Sequence, residues 1–432
     1  MRRLVSRLTR CADSHLNQRG GAEWFLNQRG GADWRLDQRG GSAVAVVVAF
    51  VLSAVPPATN VGPGVAGYLL VLVVLAAATL WALHERGRVA LLSRGETWAV
   101  GGLFAWMALC LVRSGDRWDT ALAATILAAI ACLAAWALLR TLDAGSVTRT
   151  VTAMLGAAVV GSAVAAWVVP IVTGHAVLWR PGLPIGGASN NAVGLTLGFA
   201  AAVARVRMHA ERRWWWRVIS VMAALLIVQS LSRAGWLLAL VVLVVMLVSH
   251  RRVNLRWGVP VGGLVAVVGV LELVRRRGAD VLVDRARWDN AVTGVEAWSG
   301  SLGGIVFGIG PMRVWPWLAL ERGRPGEELV GMQHDSPWGL VLYHAHSTYL
   351  EALVEYGLVG LVLLLVVLGL VVRRCVREIR RRGELSLVAV ALLLSLPAML
   401  VELYLFRGFV TALLWWAAVL AVGRVGRRPL VR

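Results

Sequence analysis

Apolar and polar residues fall in long alternating blocks along this chain. Apolar runs near 43–55, 65–83, 97–112, 121–139, 151–173 and 192–204 are followed by others near 218–231, 235–249, 257–274, 352–372, 385–401 and 409–423. Most approach the length that crosses the hydrocarbon of a bilayer as a helix. Inside lipid a backbone must satisfy its own hydrogen bonds, and unbroken apolar runs do so as helices. The pattern therefore predicts an all-α, polytopic membrane helical bundle of about 12 transmembrane helices. One interval between runs is far longer than the rest. Residues 275 to about 349, between predicted spans 9 and 10, read as one large extracytoplasmic loop with mixed charge and Gly-rich turns.

Composition agrees with lipid as the solvent: 58% of residues are hydrophobic, 16% are charged, and the mean hydropathy is +0.69. The net charge of +20 would suggest nucleic acid in a soluble protein. Its placement argues otherwise. Every basic residue is Arg, clustered between apolar runs: Arg86, Arg88 and Arg94; Arg140 and Arg149; Arg205, Arg207, Arg212, Arg213 and Arg217; Arg251, Arg252 and Arg256; Arg373 to Arg382; Arg424 to Arg432. These clusters occupy every second loop, so the positive-inside rule predicts a multi-pass protein of the cytoplasmic (inner) membrane, both termini cytoplasmic, and no nucleic-acid partner. Trp214, Trp215 and Trp216 beside Arg213 and Arg217 read as an interfacial anchor.

Residues 1–41 form a polar, Arg-rich tail with a ten-residue repeat, LNQRGGAEWF, LNQRGGADWR and LDQRGG. Three such units are too short for a solenoid core, so the tail reads as a flexible basic segment able to touch anionic lipid. It is also too long for the n-region of a cleavable signal. Residues 42–432 form the membrane domain. Cys11, Cys110, Cys132 and Cys375 suggest neither a disulfide nor a thiolate metal site.

Three places facing outward combine polar groups with membrane surroundings. In QSLSRAGW, Arg233 stands between two apolar half-runs and needs a carboxylate or anion, or else snorkels to the headgroups. In RPGLPIGGASNNAVGL, Arg180, Asn190 and Asn191 lie at the mouth of a span, where the Asn pair either caps a helix or binds a ligand. In HAHSTYLEALVEYGLVGLVLLL, His344 and His346 precede a helix with Glu351 and Glu355 on one face. H-x-H followed by E-x-x-x-E is not a zinc-ligand spacing. A neutral imidazole suits proton abstraction from a hydroxyl better. Within the long loop, 282–298 predicts a short helix with Trp288, Val292 and Val295 on one face and Arg285, Asp289 and Glu296 on another. GSLGGIVFGIGP reads as turns.

HAHSTYLEALVEYGLVGLVLL resembles the signature of the bacterial O-antigen ligase and O-antigen polymerase superfamily, with Gly357 and Gly360 at the two expected glycines. Ser347 stands where that family usually carries Asn. LSRAG resembles its Ser-Arg-Gly segment, with Ala234 where Gly is common, and DRARW with GIGPMR resembles its Arg-x-x-Trp and Gly-x-Gly elements. The region of Arg180 and Asn191 resembles its outer loop, so the likeness runs in order over about 180–372. The resemblance implies a membrane glycosyltransferase without cofactor or metal, moving glycan from a polyprenyl-pyrophosphate donor to a glycan, glycolipid or protein acceptor hydroxyl. His346 would orient or deprotonate the acceptor and Arg233 would stabilise the leaving pyrophosphate, with Arg180, Asn191, Arg285, Arg313, His344 and Glu355 binding substrate. Trp315 and Trp317, taken as exposed, would either stack on sugars or anchor to the membrane surface. A transporter or flippase of lipid-linked glycan is the alternative, since it too needs many spans and buried Arg.

Overall fold

The computed structural model describes residues 44–53, 91–140, 142, 144–172, 188–208, 213–230, 232–249, 285–315 and 333–423. The described residues are 83% helical, and the only sheet among them is one two-stranded hairpin. The helices are α1 (Val44–Ser53), α2 (Arg94–Cys110), α3 (Trp118–Arg140), α4 (Ala144–Ala163), α5 (Ala188–Met208), α6 (Arg213–Gln229), α7 (Arg233–Ser249), α8 (Arg285–Ser299) and α9 (Leu302–Phe307). After the hairpin β1 (Gln333–Ser336) and β2 (Gly339–Leu342) come α10 (Thr348–Arg380), α11 (Ser386–Ala398), α12 (Tyr404–Arg407) and α13 (Phe409–Ala421). Among the described residues, four stretches are long and apolar enough to cross a bilayer: Arg94–Arg113, Gly115–Arg140, Ser146–Val172 and Thr348–Arg380. They mark the chain as a helical membrane protein. The apolar runs predicted near 65–83 and 257–274 lie outside the described residues.

Every residue of α13 is buried, as expected of a helix that is apolar all round, and α3 and α5 pack around it. The two ends of the bundle differ in chemistry. At one end the buried Arg374 of α10 pairs with Glu96 of α2 at 2.9 Å and donates to the Val419 carbonyl of α13 at 2.8 Å. Arg374 is thus an internal tie among three helices, and not a member of a solvated cytoplasmic cluster. Arg205, also counted in such a cluster, is buried and donates to Thr152 Oγ1 at 2.8 Å. Trp214 and Trp215 are exposed and stacked, whereas Trp216 packs against Gly156.

The opposite end carries α8, α9, the hairpin and the start of α10. GSLGGIVFGIGP is not simply turns, since it contains α9. Ser301 caps that helix by accepting the Gly304 N–H at 3.0 Å, which offsets the weak propensity of its two glycines. The loop is also not wholly helical: β1 and β2 pair antiparallel from Gln333↔Leu342 to Ser336↔Gly339.

Candidate functional site

The start of α10 is built as a tied corner. Ser347 is the N-cap, its hydroxyl accepting the Leu350 N–H at 3.2 Å and donating to the Met399 carbonyl at 3.3 Å. Ser is among the strongest N-cap residues. Thr348 adds a second tie, from its backbone N–H to the Met399 carbonyl at 2.8 Å and from its hydroxyl to the Glu402 carbonyl at 2.9 Å. The chain just before this corner is therefore fixed from behind.

Immediately ahead of the cap, His346 sits at φ +55°, a left-handed backbone that costs a non-glycine residue energy and is kept where surroundings impose it. This conformation turns the ring back onto His344, with ring centroids 3.7 Å apart. Asn290 of α8 clamps the same turn. Its amide N–H groups donate to the His344 and Ala345 carbonyls, both at 3.4 Å. Its carbonyl oxygen accepts from the Leu342 N–H at 3.0 Å and the Trp315 indole at 2.7 Å. A fully buried Asn so placed joins α8, β2, the His turn and Trp315 in one network. Trp315 is therefore core and not an exposed sugar platform, its ring fitting over Gly294, where a Cβ would lie 2.8 Å from it. Trp317 lies outside the described residues.

Both imidazoles are held neutral. Burial is the largest cause at His344, followed by the cations Arg407 and Arg287, and its pKa is lowered to about 4. Burial, the neighbouring His344 and Arg287 push His346 lower still. Arg287 is half-buried beside the pair and donates to the Val401 carbonyl at 3.4 Å. Near neutral pH both rings are therefore unprotonated, with a free lone pair to offer, and are weaker bases than a free imidazole. The buried Nδ1 of His344 has no hydrogen-bond partner among the described residues.

One helical turn further in, the two glutamates face a cation. Arg407 of α12 pairs with Glu351 at 2.7 Å and with Glu355 at 3.2 Å, and all three are buried. Glu355 also accepts the Met312 backbone N–H at 3.1 Å, and the Arg407 guanidinium contacts the Met312 sulfur. The carboxylates thus hold the GIGPM segment and α12 in place, and Glu355 sits within an internal ion pair.

Gly357 breaks α10 just beyond, at φ +73°. The break frees three successive carbonyls, which take outside donors: Val354 from the Ile309 N–H at 2.9 Å, Glu355 from the Gly310 N–H at 3.1 Å and Tyr356 from the Trp106 indole at 2.9 Å. Unsatisfied carbonyls at this depth would cost several kcal/mol each, roughly. The Gly-x-Gly element and the spaced glycine of α10 are therefore two halves of one backbone contact.

Of the other residues singled out in the sequence, Arg180 lies outside the described residues. Arg233 opens α7, capped by the Ser232 hydroxyl that accepts the Gly235 N–H at 3.1 Å, and its side chain is among the undescribed parts. Asn191 is buried in the first turn of α5, beyond the capping position, next to Ala192, against which Gly235 packs. The structure thus brings together the Asn191 and LSRAG segments. Arg285 is exposed at the start of α8. Arg313 is exposed with its guanidinium 5.9 Å above the Trp338 ring. Sequence reasoning passed over Asn290, Arg287 and Arg407. A lone Arg in LYLFRGFV and two uncompensated glutamates in an apolar helix were the available signal, since buried charges occur in pairs.

Neither a protein-family model nor a curated protein matches this chain.

Proposed function

We propose that the protein is a membrane glycosyltransferase of about 12 spans, both termini cytoplasmic, acting at the outer face of the cytoplasmic membrane. It moves glycan from a polyprenyl-pyrophosphate donor to an acceptor hydroxyl, as a ligase or polymerase of cell-surface polysaccharide. The observation that carries this reading is the His344–His346 pair, two neutral rings in contact on a strained turn at the mouth of a membrane-crossing helix. An unprotonated ring held there can accept a hydrogen bond from an acceptor hydroxyl and orient it where lipid-linked substrates meet water. The resemblance of HAHSTYLEALVEYGLVG and LSRAG to the O-antigen ligase and polymerase superfamily supports the same assignment.

In this reaction His346 orients the acceptor hydroxyl and takes its proton as the oxygen bonds to the sugar anomeric carbon, when bond formation has made that proton acidic enough for a weak base. The bond from that carbon to pyrophosphate breaks, and the leaving pyrophosphate keeps the electron pair. Arg233, with Arg180 and Arg285, stabilises that charge by two-point hydrogen bonding, without metal. Transfer by the purified protein from a lipid-linked oligosaccharide tests it. His346→Ala is expected to bind donor yet abolish transfer. Arg233→Lys should fail nearly as badly as Arg233→Ala, because an ammonium lacks the fork, and EDTA should have no effect. Full transfer by His346→Ala, or loss with EDTA that added metal restores, would overturn the mechanism.

A further inference from the structure

Helix α8 has two opposed faces, and the one the sequence marks as apolar is turned outward. Asn290, Gly294 and Ala297 point into the protein. Trp288, Val292 and Val295, at i, i+4 and i+7, are 70%, 40% and 39% exposed. Arg285, Asp289 and Glu296 are exposed as well. At 3.6 residues per turn they form a strip roughly 60–100° round the helix from Trp288. The outward side is therefore divided lengthwise into an apolar stripe and a charged strip, the pattern of a helix lying in a membrane interface.

Depth points the same way. α9, which follows directly, exposes Leu302 and Phe307 and sits level with the end of the span Arg94–Arg113. Cys110 Sγ reaches the Phe307 carbonyl at 3.5 Å, and a Cβ on Gly303 would lie 3.6 Å from the Arg113 guanidinium. At the same end Trp118, exposed, begins α3, as an interfacial aromatic would.

We propose that α8 and α9 lie in the outer bilayer interface. The stripe of Trp288, Val292 and Val295 rests on the acyl boundary, and the strip of Arg285, Asp289 and Glu296 faces headgroups and water. The occupant is the lipid surface itself, continuous with the lipid around the neighbouring span. Because Asn290 on the back of α8 holds the His turn, docking the helix sets His344 and His346 at headgroup depth, where the phosphates of a lipid-linked donor lie. The docking rests on the membrane-spanning character of the chain. The statement about the donor rests on the proposed transfer reaction, and each can fail alone.

The test uses the full chain with Cys11→Ser, carrying Val292→Cys, Val295→Cys or Glu296→Cys with a nitroxide label, in nanodiscs of phosphatidylethanolamine and phosphatidylglycerol. Labels at 292 and 295 are expected to relax severalfold more with oxygen than with a water-soluble nickel chelate, and the label at 296 to show the reverse preference. Equal nickel access at all three positions would overturn the proposal by making the stripe a water-facing surface. Exclusion of both relaxants at 292 and 295 would overturn it too, by showing a protein segment over the stripe. The unaltered protein supplies an independent measure. Lipid carrying a photoreactive group at the top of its acyl chain should cross-link within residues 285–307, and cross-links confined to other segments would also refute the docking.

Discussion

Arg407 holds two carboxylates that would otherwise stand side by side in a dry interior. Removing it leaves Glu351 and Glu355 together without their guanidinium, whereas removing either glutamate leaves a one-to-one pair. Arg407→Ala is therefore expected to destabilise by about 3–5 kcal/mol, Glu351→Gln by clearly less, and Arg407→Lys by an intermediate amount, because one ammonium cannot fork between two partners. Thermal unfolding in detergent gives the order. Equal damage from Glu351→Gln and Arg407→Ala would show that the three do not act as a unit. At this scale the sequence was read in parts. Spacing put both glutamates on one face, but their partner lies 52 or more residues downstream, and nothing in spacing joins the two. Trp315 misled for a related reason: an aromatic in a polar loop reads as exposed until Gly294 and Asn290 are known to make a seat for it.

The contact between α9 and α10 is made at two glycines. Gly308 has φ +78° and a Cβ there would stand 2.2 Å from the Glu355 carbonyl. Gly357 has φ +73° and a Cβ would stand 2.3 Å from the Val306 carbonyl. Backbone on both sides leaves no flexible atom to give way, so Gly308→Ala and Gly357→Ala should each part the two elements. Gly369→Ala, in the same helix with nothing within 4 Å, should be neutral or slightly stabilising. Limited proteolysis within α9 measures the separation, and equal resistance of all three variants to wild type would refute the argument. The long apolar helices were legible because an unbroken run has few alternatives in lipid, and most lie within a few residues of the runs that predict them. The helix α9 was not, since two glycines among six residues carry no helical signal, and the cap and the packing on α10 decide it. The face of α8 was legible as a stripe but not as to what covers it.

Across the whole molecule, α10 joins the two chemically different ends. Gly357 breaks it, yet the residues after the break, 358–380, still span about 35 Å at 1.5 Å per residue, against a hydrocarbon core of about 30 Å. In the proposed topology the His turn at the start of α10 and the Arg-rich stretch at its close emerge from opposite faces of the bilayer. The Arg clusters predict which is which, placing Arg373 to Arg382 inside. Asp335, exposed on β1, and Arg381, exposed beyond the last turn of α10, report the two ends. With Cys11→Ser as background, the buried Cys110, Cys132 and Cys375 are shielded from a maleimide that cannot cross membranes. Asp335→Cys should label in intact cells, and Arg381→Cys only after the membrane is opened. The reverse result would invert the protein and put His346 on the cytoplasmic side, away from any donor in the outer leaflet. Labelling of both positions in intact cells would mean that α10 does not cross at all.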